Sequence, residues 1–296
     1  MLRHLPYLRA LATVCILLFV LFVSAISICL QDSEIAIRRD IRTARSWVQQ
    51  ELLIIRYAEQ GRILDLLKVY WQLIKEGDYE HPLVLYGAVT ASLFAEDMIG
   101  SGAIKFPSGA EEWIEATNIA WRQKVAQKLL QVASREPYAH VAYFDAAWRD
   151  ARPELFHYRP DGVVTARSPR GERKIPIYRV SPIVERWRVL IAQAKSLKPE
   201  HPYLPVWESR ITEDPQKKIM LLEQAFERIP ESLYPRRFRV AFEIVISAKK
   251  LTNAERRNSI ITKYKAIKKD ILERHRGSPL LHQYVVRPQG SKTLKD

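Results

Sequence analysis

The 296-residue chain carries 47 Lys and Arg against 33 Asp and Glu, a net charge of +14, and two cysteines, Cys15 and Cys29. Both cysteines fall in one apolar N-terminal stretch, which excludes a disulfide framework or a thiolate metal site from the rest of the sequence. Ten glycines among many leucines, isoleucines and alanines point away from a turn-rich β architecture and towards a mainly α fold.

In chain order, Tyr7–Leu30 comes first. After Arg9 it holds no charged residue, and Leu11, Ile16, Leu17, Phe19, Leu21, Phe22 and Ile26 give it the length and apolarity to cross a hydrocarbon core of about 30 Å as one helix. A cleavable signal peptide would be cut after Val23-Ser24-Ala25, but the apolar run continues past that point, so an uncleaved anchor is expected. Lipoprotein processing at Cys29 is the last reading, since Ile28 stands where a small residue is wanted. Arg3 and Arg9 precede the span, and Asp32 and Glu34 follow it. This places the N-terminus in the cytoplasm and the remaining chain outside, at a cell (inner) membrane, with the domain in the periplasm of a two-membrane bacterium.

Over 31–59, Ile37, Ile41, Ala44, Val48, Leu52 and Ile55 recur at helical spacing and predict one juxtamembrane amphipathic helix. A helical domain follows over 60–276. Ile63, Leu66, Leu67, Tyr70 and Ile74 mark its first helix, ended by Gly77-Asp78. Pro82 opens the next, with Leu85, Tyr86, Val89 and Leu93 inward. Ser108 and Glu111 have capping-box spacing and predict a long helix through Trp113, Ala116, Ala120, Val125, Leu129 and Val132. Pro137 begins another. Residues 154–180 break the helical pattern and predict a β-hairpin insertion with strands Val163–Arg167 and Lys174–Val180. Helices resume at Pro182, near Trp207, at Pro215 and around Phe238. A last helix, opened by Thr252 and Glu255, runs through Ile260, Tyr264, Ile267 and Ile271, and 277–296 reads as a flexible tail.

One string recurs: VASREP at 132–137, AKSLKP at 194–199 and AFERIP at 225–230. Ala194 with Pro199, and Ala225 with Pro230, resemble the end of a tetratricopeptide repeat, where a small residue packs between helices and a proline follows; Val132 replaces the alanine in the first copy. The resemblance covers about residues 110–250 and does not extend to the aromatic and Leu-Gly positions of the repeat's first helix. It implies stacked helical hairpins, a solenoid-like domain whose concave face binds a peptide or protein, and it carries over no functional residues.

No catalytic constellation stands out, and no cofactor is expected. The Gly100–Lys105 loop lacks the spacing of a phosphate-binding P-loop. The histidines show no metal-ligand spacing. Glu111, Glu112 and Glu115 are accounted for by the dipole at a helix start. Charge is uneven, with a balance of −3 over 31–150 and +9 over 236–276, which bears on partners rather than fold. Two basic groups are candidates for an anionic partner: Arg159, Arg167, Arg170, Arg173, Lys174 and Arg179 around the hairpin, and Arg256, Arg257, Lys265, Lys268 and Lys269 on the last helix. The competing readings are a charged sheet edge that resists aggregation and a polar outer face on a terminal helix. The expectation is therefore a single-pass scaffold or accessory subunit in a cell-envelope assembly (secretion, pilus or polysaccharide machinery), engaging proteins. The alternatives are an anionic polymer or lipid-headgroup binder and, behind it, an envelope hydrolase. Nucleic acid is disfavoured for a domain outside the cell.

Overall fold

The computed structural model describes residues 33–77, 81–106, 112–156, 163–168, 171–176 and 182–282, and these are mainly helical. The anchor segment Tyr7–Leu30 lies outside the described residues. Helix α1 covers 33–43. It is followed by α2 (Trp47–Glu59), α3 (Ile63–Glu76), α4 (Pro82–Gly100), α5 (Ile119–Val132), α6 (Pro137–Phe156), strands β1 (Val163–Ser168) and β2 (Gly171–Pro176), then α7 (Pro182–Leu197), α8 (Leu204–Arg210), α9 (Pro215–Arg228), α10 (Tyr234–Ala248) and α11 (Ala254–Arg274). The chain divides into two compact units, Met1–Thr43 and Ala44–Asp296. In the first, α1 is braced by Arg38, whose Nε and Nη2 donate to Glu34 one turn back at 3.2 and 3.1 Å.

The single juxtamembrane helix expected over 31–59 is instead broken. Ser46 adopts extended backbone and its side chain accepts the Gln49 N–H, so α2 starts anew at Trp47 with a reset helical phase. As a result Leu52 is exposed, while Gln50, Glu51, Leu53, Ile54 and Ile55 turn inward.

At the centre of the second unit is α4, which touches α2, α3, α5 and α6. Among the described residues it is the one helix long and apolar enough to cross a membrane, yet most of it is buried in protein. Enclosure on several sides removes the need for a polar stripe. Gly87 permits the closest approach: a Cβ there would lie 2.5 Å from Cζ and 2.7 Å from Cε1 of the Tyr70 ring.

The long helix expected to open near Ser108 begins at Ile119 instead. Ahead of it, Ile114–Thr117 forms a 3₁₀ turn, fixed by the Ser92 hydroxyl donating to the Ala116 carbonyl at 2.6 Å and the Trp71 indole donating to Glu115 at 2.7 Å. Ser108 and Glu111 lie outside the described residues. In the insertion, β1 and β2 pair antiparallel with Val163 opposite Pro176 and Ser168 opposite Gly171; the second strand thus starts at Gly171 rather than Lys174. The last helix is capped by Asn253, which accepts the Arg256 N–H, rather than by Thr252 with Glu255.

Where the recurrent strings fall, Ala194 on α7 and Ala225 on α9 are fully buried, whereas Val132 is 37% exposed. Successive helices pack on one another, as hairpins do, but the connectivity departs from an open array, in which each repeat touches only its neighbours. The 3₁₀ turns Glu231–Leu233 and Pro279–Leu281 both pack on α2, and the latter also on α4. Leu280 and Leu281 are buried, so the expected tail begins with core residues. Ser278 Oγ donates to Glu59 at 2.6 Å, the Tyr234 hydroxyl also reaches Glu59, and His275 stacks on Tyr234 at 3.6 Å. These contacts tie the two ends of the second unit together.

Candidate functional site: a buried ionic core

The densest cluster of polar chemistry among the described residues is inside the second unit. Glu51, on the inward face of α2, is fully buried. Its Oε1 accepts from the Tyr86 hydroxyl of α4 at 2.6 Å, and its Oε2 from the Tyr203 hydroxyl ahead of α8 at 2.7 Å. Arg236 of α10 adds Nη2 to Oε1 at 3.1 Å and Nε to Oε2 at 3.4 Å. The guanidinium also donates through Nη1 to Asp145 of α6 at 3.0 Å and lies over the Tyr203 ring at 5.0 Å. Burial, and then the Glu51 charge, push both tyrosine hydroxyls well above their ordinary pKa. For Arg236, burial works against the charged form, but Glu51 and Asp145 outweigh it and hold the guanidinium protonated.

A second ionic group adjoins the first. Arg210, the last residue of α8, donates to Glu243 of α10 at 3.0 Å and lies 4.1 Å from the centre of the Trp207 ring. Arg239 approaches the same carboxylate at 3.6 Å. Burial pushes the Glu243 carboxyl up, yet Arg210 and Arg239 hold it below the ordinary value. Between the groups is a cavity of about 20 Å³ bordered by Asp145, Tyr203, Arg210, Arg236 and Glu243, room for one water.

This arrangement binds helices together rather than a substrate. Both Glu51 oxygens are engaged by four donor contacts and neither faces solvent, so Glu51 has no lone pair free to take a proton from a ligand. Each partner comes from a different part of the chain, so the network fixes α2, α4, α6, α10 and the approach to α8 in register. Among the described residues no group of three His, Cys, Asp or Glu converges as metal ligands.

Two of the described histidines make local contacts. His140 Nε2 meets the Ser134 carbonyl at 2.8 Å. His201 is buried beside Trp47 at 4.9 Å between ring centres, and its Nδ1 accepts the Tyr203 N–H at 3.3 Å. Burial, with Lys198 adding to it, lowers the His201 pKa from 6.5 to about 4. The unfolded chain therefore binds a proton between those values that the folded one does not. Stability conferred by neutral His201 is complete above pH 6.5 and is lost as pH falls towards 4, by roughly 3 kcal/mol if the full shift is realised. Urea midpoints measured across this range should fall less steeply for His201→Phe than for the native chain; parallel slopes would reject the assignment.

Of the residues singled out from sequence, Arg159, Arg170 and Arg179 lie outside the described residues. Arg167 sits on β1 opposite Glu172, while Lys174 and Arg173 of β2 pair with Thr165 and Ala166. On α11, Tyr264 and Ile271 are buried, Tyr264 against the Phe226 ring of α9 at 5.6 Å between centres. The apolar stripe is thus spent on protein neighbours. Arg257 donates to the Leu251 carbonyl at 3.2 Å and Lys268 lies over Phe242 at 4.4 Å. Arg256, Lys265 and Lys269 are exposed, with Lys269 near Glu273 at 3.6 Å. The Gly100–Lys105 loop turns at Gly102, φ +74°, and the Ala103 N–H is used within it, donating to the Met98 carbonyl at 2.9 Å.

Glu51, Arg236 and Asp145 escaped the sequence reading, because a charged residue on a helix reads as surface. The one signal was Glu51 itself, which lies among inward apolar positions once α2 is taken to start at Trp47. No family model matches the sequence, and no curated protein or solved structure matches it either.

Proposed function

We propose that the chain is a single-pass, membrane-anchored scaffold or accessory subunit, with Tyr7–Leu30 as the anchor and the helical unit outside the membrane, engaging partner proteins of a cell-envelope assembly. The observation that carries this reading is an open cleft of about 380 Å³ between the α5–α6 connection and α7. Leu130, Leu190 and Leu197 supply its apolar surface, and Ser134, His140, Gln193 and Ser196 its polar one. No Asp, Glu, Lys or Arg borders it, although these residues make up 27% of the chain. Nearby on the same helices, Val132 and Val189 are 37% and 52% exposed. Depletion of charge around exposed aliphatic side chains is the composition of an interface core.

The test is site-specific photo-crosslinking of the full-length chain in its native membrane. A probe at Val189 should yield one discrete adduct that Leu197→Asp abolishes. A probe at exposed Lys263 on α11 should not yield it. Adducts indifferent to Leu197→Asp would reject the cleft as the contact surface, and a fusion reporter showing the C-terminus in the cytoplasm would reject the placement.

A further inference from the structure

We propose that the cleft between the α5–α6 connection and α7 takes a tyrosine side chain of the partner protein, with the ring among the cleft leucines and the hydroxyl donating to His140. This names the partner's chemistry at the cleft described above and rests on that reading. His140 stands near the start of α6, borders the cleft together with Ser134, and is only 4% exposed. Its Nε2 meets the Ser134 carbonyl at 2.8 Å, which holds the ring against the cleft wall. A carbonyl oxygen only accepts, so Nε2 carries the proton, and in the neutral ring Nδ1 is left as an acceptor. Among the described residues this buried nitrogen has no hydrogen-bond partner.

A buried acceptor without a donor is unfavourable, and the cleft that His140 borders is where a donor can enter. The occupant must therefore carry an O–H or N–H. It must also be uncharged, since no Asp, Glu, Lys or Arg borders the cleft to pair with it. Leu130 of α5 faces Leu190 and Leu197, which share one side of α7, across a volume of about 380 Å³. A serine or threonine would leave most of that apolar space empty. A phenol ring fills more of it and ends in a hydroxyl, so one side chain answers both the leucines and Nδ1. The same pairing of apolar body and polar tip places tyrosine among the residues that dominate binding energy at interfaces. Ser134 and Gln193, both exposed at the cleft, offer a hydroxyl and a carboxamide to the main chain on either side of the tyrosine.

The experiment uses the full-length chain with ¹⁵N-labelled histidine, in zwitterionic detergent at an alkaline pH where imidazole is neutral. The probes are p-cresol, which is the tyrosine side chain itself, and 4-methylanisole, which has the same ring without the O–H. The His140 resonances are assigned from His140→Phe. p-Cresol should move Nδ1 as it accepts a hydrogen bond, and 4-methylanisole should not. p-Cresol should also bind roughly fivefold more tightly than 4-methylanisole, the worth of one neutral hydrogen bond, and His140→Phe should erase that preference. Binding of 4-methylanisole to His140→Phe shows that the cleft is still formed, and the Nδ1 response of the native chain decides the matter if the variant does not fold. An unmoved Nδ1, equal movement with both probes, or a preference retained in His140→Phe would overturn the proposal. A stronger Nδ1 response to 3-methylindole than to p-cresol would overturn it in favour of tryptophan. The Val189 adduct is read separately: if it persists while p-cresol has no effect, the cleft remains the contact surface and only the tyrosine assignment falls.

Discussion

Replacing Arg236 by Ala should lower unfolding free energy by about 3–5 kcal/mol, because it strands Glu51 and Asp145 as buried carboxylates without their cation. Arg236 is 13% exposed, Glu51 is sealed from solvent and Asp145 is 11% exposed, so water offers little relief. Urea denaturation of the full-length chain in detergent measures the loss directly. A cycle with Glu51→Gln separates the pair: the double variant should lose less than the sum of the two single losses, since the amide removes the charge that Arg236 neutralises. Additive losses would mean that the two residues act independently and that the network is incidental to packing.

Trp207→Ala should cost a similar amount, about 3–5 kcal/mol, through a different mechanism. The indole is 1% exposed and sits 5.4 Å from the Phe144 ring and 5.7 Å from the Trp187 ring, centre to centre. Arg210 covers its face at 4.1 Å. Truncation opens a cavity among aromatics from α6 and α7 and leaves the Arg210 guanidinium without its apolar support. Trp207→Phe should recover more than half of the loss, since the ring contacts survive while only the outer part of the indole is removed. Equal losses for Ala and Phe would assign the role to the indole nitrogen rather than to packing.

These two changes probe the second unit from opposite sides, one ionic and one aromatic, and they meet at Arg210 and Tyr203. The tyrosine borders the single-water cavity and donates to Glu51, and Arg210 joins Trp207 to Glu243. Polar networks of this kind define register among helices that aliphatic packing alone holds less specifically, a role consistent with five segments converging on Glu51 and Arg236.

Much of the helical plan was legible because local rules governed it. Pro82, Pro137, Pro182 and Pro215 each stand at the first position of a helix, where the missing N–H costs nothing. Gly77 ends α3 in the left-handed region at φ +117°, which a glycine enters freely. The apolar run of α4 was likewise plain, and its burial of Leu85, Tyr86, Val89 and Leu93 follows from periodicity.

Other features depended on partners distant in the chain. Periodicity carries α2 through Ala44–Arg45 unbroken, but Gln50 Nε2 donates to the Ala44 carbonyl and the Ser46 cap ends the run, which rotates Glu51 inward. The start of α5 was set by Ser92 and Trp71 reaching residues 115 and 116 from α4 and α3. The stripe of α11 has the amphipathic form of a membrane-surface helix, and only the positions of α9 and α10 show that protein already covers it. By itself the sequence determined the starts of the helices that open on proline, the stop at Gly77 and which stretch is apolar enough for a membrane, since neighbouring residues fix those energies. Tertiary structure alone decided which charges became core, because Glu51 is tolerable inside only when Arg236, far along the chain, is delivered beside it.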